Sequence, residues 1–212
     1  MRKIIIFLFG LSCFYNLQAQ DVPVNFTGWY GYEGYHPFRE GKPWGLMVEG
    51  YIKRNHVVVD PMQWFGRLGV NYQLPNGNRI TGGYAYQYNM PYDEVSDPYT
   101  WSDHRIWEQY IIRKPFARDK RGMFIHRFRV EQRWLQRKAP PEYVNTAEWK
   151  FENTVRYQFK VNIPLNDAMS LSFNDEIHLR TSSFDTEKLF DQNRIYAGLV
   201  FYADKKREWR IE

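Results

Sequence analysis

Between Phe124 and Trp134 the chain alternates between two kinds of side chain. Arg127, Arg129, Glu131 and Arg133 occupy successive odd positions, while Phe124, His126, Phe128, Val130 and Trp134 share the even ones. Successive side chains on a β-strand point to opposite faces, so this run predicts a strand with one charged face and one apolar, aromatic face. A soluble sandwich would bury the apolar face and wet the charges, so the alternation by itself suits water or membrane. Its repetition along the chain, together with the N-terminus, points to the membrane.

The same period of two, bounded by turn residues, predicts strands near 27–36, 44–54, 63–74, 79–89, 104–113, 122–136, 148–161, 169–181, 191–203 and one starting at 207. No segment carries a sustained helical period. The connections at 37–43, 75–78, 114–121, 162–168 and 204–206 are the tighter ones, with Asn76-Gly77, Pro164 and Asn166-Asp167 as turn chemistry. Those at 55–62, 90–103, 137–147 and 182–190 are mostly longer and rich in Pro, Asp and Ser. Alternating short and long connections in an up-and-down meander are the pattern of an outer-membrane barrel. The expected fold is therefore all-β: an antiparallel up-and-down transmembrane β-barrel of about 10–12 strands, each about 10 residues long as the hydrocarbon core requires. Trp64, Trp101, Trp134 and Trp149 fall at strand ends on the long-loop side, as an interfacial girdle would.

Arg2 and Lys3 precede an apolar stretch from Ile4 to Tyr15, and Asn16-Leu17-Gln18-Ala19 ends on a small residue. This is the pattern of a cleaved export leader, residues 1–19, ahead of a barrel domain at 20–212. The only cysteine, Cys13, lies in the leader, so the exported chain would have neither a disulfide framework nor a thiolate metal site. Tyr, Phe and Trp make up 18% of the chain, yet mean hydropathy is −0.65. The net charge of +5 would suit nucleic acid only as an uninterrupted basic stripe, and here Glu alternates with Arg on one face. Outer-membrane lipid and small anionic solutes are the expected partners.

Two features strain the barrel pattern. If the short turns are periplasmic, strand 27–36 runs from outside inward, so the first strand is misplaced, the N-terminal segment threads the lumen, or the short turns face outward. At the other end, Arg207 to Glu212 starts a strand with correct alternation and stops before it could cross, as a chain incomplete at its C-terminus would.

Six blocks recur in order: Trp29-Tyr30-Gly31, Arg67 to Tyr72, Gly82 to Tyr86, His104 to Gln109, His126 to Arg133, and Phe190 to Leu199. On these the chain resembles the exported family known as domain of unknown function 2490, over nearly the whole of its length after the leader. The resemblance implies an outer-membrane β-barrel of a Gram-negative bacterium. It carries over no catalytic residue. Family members typically continue for a further hairpin after the Asn193-Arg194-Ile195-Tyr196-Ala197-Gly198 block, which this chain lacks.

On the predicted inner face lie Glu49 and Arg67, then Arg127, Arg129, Glu131 and Arg133, then Glu152 and Arg156, then Glu176 and Arg180, and Arg194. A charge in a low-dielectric interior must be paired or wetted, so these side chains read as Arg–Glu pairs filling a narrow lumen. The alternative is an anion-favouring constriction, because arginines outnumber carboxylates. His178 shares a face with Ser172 and Glu176, which raises a second class, a lipid or lipopolysaccharide hydrolase in the barrel wall. Ser172 and His178 are nevertheless six residues apart on one strand, roughly 20 Å, so partners would have to come from other strands. His126 falls on the apolar face. Asp93, Glu94, Asp97 and Asp103 form an acidic stretch read as a solvated loop, with a hard cation as the alternative. A third class is a soluble periplasmic barrel binding a small ligand. No cofactor is expected, and the leading expectation is a pore or structural barrel, leaning away from an enzyme.

Overall fold

The computed structural model describes residues 27–92, 96, 98–116, 122–136, 148–181 and 189–202, and the backbone of 210–211. Ten strands follow in sequence: β1 Thr27–Pro37, β2 Trp44–Asn55, β3 Asp60–Gln73, β4 Arg79–Asn89, β5 Trp101–Phe116, β6 Gly122–Gln136, β7 Trp149–Pro164, β8 Met169–Arg180, β9 Phe190–Tyr202 and β10 Arg210–Ile211. They form one antiparallel sheet in sequence order, a meander of nine full strands ending on the two-residue β10. Among the described residues no pairing joins β1 to β9 or β10. The sheet is curled: Arg67 of β3 reaches Glu131 of β6 across two intervening strands, and Arg194 of β9 lies within electrostatic reach of Tyr51 on β2. The architecture is a half-barrel with an inside and an outside.

Register places the faces. The rows Glu49↔Arg67 and Tyr51↔Phe65 on β2–β3, Trp107↔Glu131 on β5–β6 and Glu176↔Arg194 on β8–β9 point inward. The alternate rows, such as Val48↔Leu68, Tyr110↔Phe128 and Phe173↔Ala197, point outward. The β6 alternation is thus realised as predicted, with its arginines inside and Phe128 and Val130 outside. The apolar interior is a small cluster of Met47, Phe65, Ala85 and Trp107, joined by Tyr35 and Tyr51. Gly69 makes this packing possible, because a Cβ there would lie 2.8 Å from the Trp107 ring.

Three expectations are corrected. The 55–62 connection is not a long loop: β2 and β3 pair as far as Asn55↔Asp60, leaving residues 56–59 as a tight turn, shorter than the 38–43 connection at the opposite end. Strict alternation of short and long connections therefore fails at the first hairpins. His56 and Val57 both take positive φ, 46° and 69°, where Asn-Gly would be the ordinary choice, so no sequence signal marked the turn. The strand expected at 104–113 is longer, Trp101–Phe116, and it takes Asp103 out of the acidic loop and into the sheet. The Asn76-Gly77 turn forms as expected, with Gly77 at φ 83° and the Asn76 Oδ1 accepting the Asn78 amide at 3.0 Å. The leader at 1–19 and the residues Asp93, Glu94 and Asp97 lie outside the described residues.

Candidate functional site

Most of the inward charges of β2 to β8 join into one connected network. At its centre Glu131 is 1% exposed and faces four arginines from four strands. Arg156 Nη1 donates to its Oε1 at 3.0 Å and Arg67 Nη2 at 3.2 Å, Arg105 Nη1 donates to Oε2 at 3.2 Å, and Arg129 Nη1 stands at 3.6 Å. From this hub the network runs three ways. Arg67 donates onward to Glu49 at 2.6 Å on β2. Arg156 grips both oxygens of Glu176 on β8 at 3.0 and 2.9 Å, and Arg127 completes that carboxylate at 2.9 Å. Arg105 forks onto Asp103 Oδ2 at 2.9 and 2.6 Å, where Arg133 also donates, at 3.2 and 2.6 Å.

Register explains why these partners are needed. Arg129 stands directly opposite Arg156, and Arg105 directly opposite Arg133, like-charge pairs that destabilise a sheet unless an anion sits between them. Glu131 and Asp103 supply those anions. Arg forks suit the task because the planar guanidinium meets a carboxylate at two points. Removing water from such groups costs several kcal/mol per ion, which excellent geometry can offset and a missing partner cannot.

The network meets the apolar cluster at Trp107, which is fully buried. Its ring lies between the guanidinium of Arg67, 5.0 Å from the centroid, and that of Arg129, 5.4 Å away. Arg129 also donates two hydrogen bonds to Gln109 Oε1, at 3.1 and 2.7 Å.

Most of the residues read from the sequence are brought together here: Glu49, Arg67, Arg127, Arg129, Glu131, Arg156 and Glu176 are contiguous, and Arg133 joins them through Asp103. Glu152, Arg180 and Asp191 make a separate group near the long-loop end, where Glu152 accepts Lys150 at 2.5 Å and Arg180 donates to Asp191 at 2.5 Å. The Arg194 guanidinium donates to Gln192 Oε1 at 3.1 Å and makes no ion pair among the described residues. Sequence reasoning missed Arg105 and Gln109, and it assigned Asp103 to a loop. The available signal was the continuation of the odd-numbered series Asp103, Arg105, Trp107, Gln109, which a strand start at 104 hid.

Ser172 and His178 stay apart on β8. His178 contacts Glu176 at 3.5 Å and Gln192 at 3.4 Å, both Glu176 oxygens are held by arginines, and Ser172 pairs with Asn162 far down the strand. Among the described residues no three His, Cys, Asp or Glu side chains come together as metal ligands. His126 faces outward and bonds the Tyr157 hydroxyl at 2.9 Å.

On the outside, the long-loop end carries Trp64 and Trp149, with the Tyr84 hydroxyl bonded to His104 and the His104 ring 5.2 Å from Trp149. Trp134 packs against Phe151 in the same belt, ring centroids 5.2 Å apart and planes tilted by 55°. Trp101 departs from it, lining a cavity of about 370 Å³ at the inner mouth with Lys53, Gln63 and Asn89.

No curated protein and no solved structure gives a significant match to the chain. The sequence profile of one family, described as "Protein of unknown function (DUF2490)", matches residues 26–211, so this half-barrel with its buried arginine–carboxylate network belongs to that family.

Proposed function

We propose that this protein is exported through a cleaved leader to the outer membrane of a Gram-negative bacterium, where it serves as a structural β-barrel with an interior closed by charge. The observation that carries this reading is an inversion of the usual burial. Glu131 is 1% exposed while Leu68 is 55% and Ile106 48% exposed on the opposite face. A water-soluble sheet would hide those apolar groups, whereas a hydrocarbon solvent rewards exposing them. The belt of Trp64, Trp149 and His104 sits where the polar edge of a bilayer would meet the strands. Glu108 and Asp175 interrupt the outer face. Carboxylates are the least costly charges in that setting.

A conducting pore is the weaker form of this reading. Glu131 and Trp107 stand across the interior, and both are shielded from water. Small anions would enter no further than the mouths, where Lys53 and Arg194 stand. Fractionation of expressing cells, followed by unheated and boiled detergent gels, tests the location. Recovery in the outer membrane as a heat-modifiable band is expected. A soluble periplasmic band indifferent to heating would overturn the reading in favour of a ligand-binding barrel.

A further inference from the structure

On the outer face, two glycines stand directly opposite each other: Gly50 of β2 and Gly66 of β3. The row continues to Tyr32 on one side and Tyr86 on the other, so a glycine floor lies between two tyrosines. The next row toward the long-loop end is Tyr30, Ile52, Trp64 and Tyr88. Together they enclose a groove of about 780 Å³ whose lining is almost wholly apolar.

Neither glycine is required by the protein itself. Neither has a positive φ. A Cβ at Gly66 would meet nothing within 4 Å, and one at Gly50 only the Phe65 carbonyl at an ordinary 3.6 Å. Glycine in the middle of a strand weakens it, and where no turn or internal packing calls for it, it marks the close approach of something from outside.

The upper rim identifies the chemistry of that occupant. Arg54 is the next outward residue after Ile52 on β2, about 7 Å along the strand. It spends one nitrogen, Nη1, on the carbonyls of Val58 and Val59, at 3.3 and 3.1 Å. It makes no ion pair with a described carboxylate. Close by, the Tyr30 hydroxyl bonds the Val57 carbonyl at 3.1 Å. An apolar trough with a cation one outward position beyond its Ile52 wall suits a molecule with a hydrocarbon tail and an anionic head.

We propose that this groove holds one acyl chain of an anionic membrane lipid, with the lipid phosphate on Arg54. The inference rests on the outer-membrane reading above and assigns that face a specific ligand. The surrounding hydrocarbon is as apolar as the groove, so selectivity comes from the Arg54 contact and from close packing over the glycines, not from the hydrophobic effect.

The test incubates the detergent-purified full chain with equal amounts of phosphatidylglycerol and phosphatidylcholine and counts retained lipid by native mass spectrometry. The expected result is one tightly held phosphatidylglycerol, preferred about tenfold, as one charge-assisted hydrogen bond allows. Gly66→Leu should abolish that retention while the band stays heat-modifiable. Arg54→Gln should leave a lipid bound with its preference for phosphatidylglycerol gone. Unchanged retention in Gly66→Leu would overturn the proposal even with the barrel in the membrane. So would efficient oxidative dimerisation of Gly66→Cys in vesicles, which would assign the groove to a second copy of the chain. A protein that fractionates as soluble and ignores heating would remove the membrane reading, and the lipid with it.

Discussion

The inner wall from β2 to β5 and the inner wall from β5 to β8 enclose the same interior by different physics. The first is filled by Met47, Phe65, Ala85 and Trp107, where dispersion and close packing supply the cohesion. The second is filled by three carboxylates, Asp103, Glu131 and Glu176, and the arginines that surround them, where each member is tolerable only because the others are present. Trp107 belongs to both, packed in the apolar cluster and bracketed by Arg67 and Arg129. The contrast teaches that filling an interior and specifying its register are separable tasks. An apolar wall tolerates any side chain of suitable volume, whereas a slip of one residue in β6 would turn Arg127, Arg129, Glu131 and Arg133 outward together.

Breaking the charged wall at its hub should have the largest effect. Glu131→Ala leaves Arg67, Arg105, Arg129 and Arg156 without their shared anion and should cost about 3–5 kcal/mol of unfolding free energy, read as a lowered midpoint in urea titrations of the refolded barrel. Next is Ile106→Lys on the outer face. In a bilayer it should cost about 2–4 kcal/mol, against less than about 0.5 kcal/mol for the same change on a water-facing surface, so equal stability of the two proteins in lipid vesicles would contradict a lipid-facing position. In the apolar wall, Met47→Ala should cost about 2–3 kcal/mol through its cavity, and it should be additive with Arg133→Ala, because the two share no partner. A double-mutant cycle between Glu131 and Arg156 should instead show a coupling of about 1–3 kcal/mol. The smallest effect belongs to Arg180→Ala. Arg180 is 40% exposed at the rim, and its loss should change stability by less than about 1 kcal/mol.

The charged wall is also where the sequence was most legible. In β6, β7 and β8 apolar and charged residues alternate, so the faces could be read from period two alone, and the limits of β6 and of β4 coincide with those expected. In β2 to β5 both faces carry apolar or aromatic groups, as where Trp64 and Phe65 point to opposite sides, so the inner face was marked by Glu49 and Arg67 alone on β2 and β3. Trp107 and Asp103 fell from view for that reason and because the start of β5 was placed too late. The turn at 56–59 was illegible in a different way: its backbone requires positive φ, and His56 and Val57 give no hint of it. The outer groove was not legible in the sequence, because only register sets Gly50 against Gly66.

The central claim, an interior closed by the network around Glu131, is tested most directly by the electrical behaviour of the refolded protein. Barrels whose insertion is verified by heat-modifiability would be fused into a planar bilayer and recorded at low and high salt. The account predicts a silent membrane for the unaltered chain. Stable, ohmic single-channel steps from it would contradict the account and establish the same arginines as the lining of an open pore.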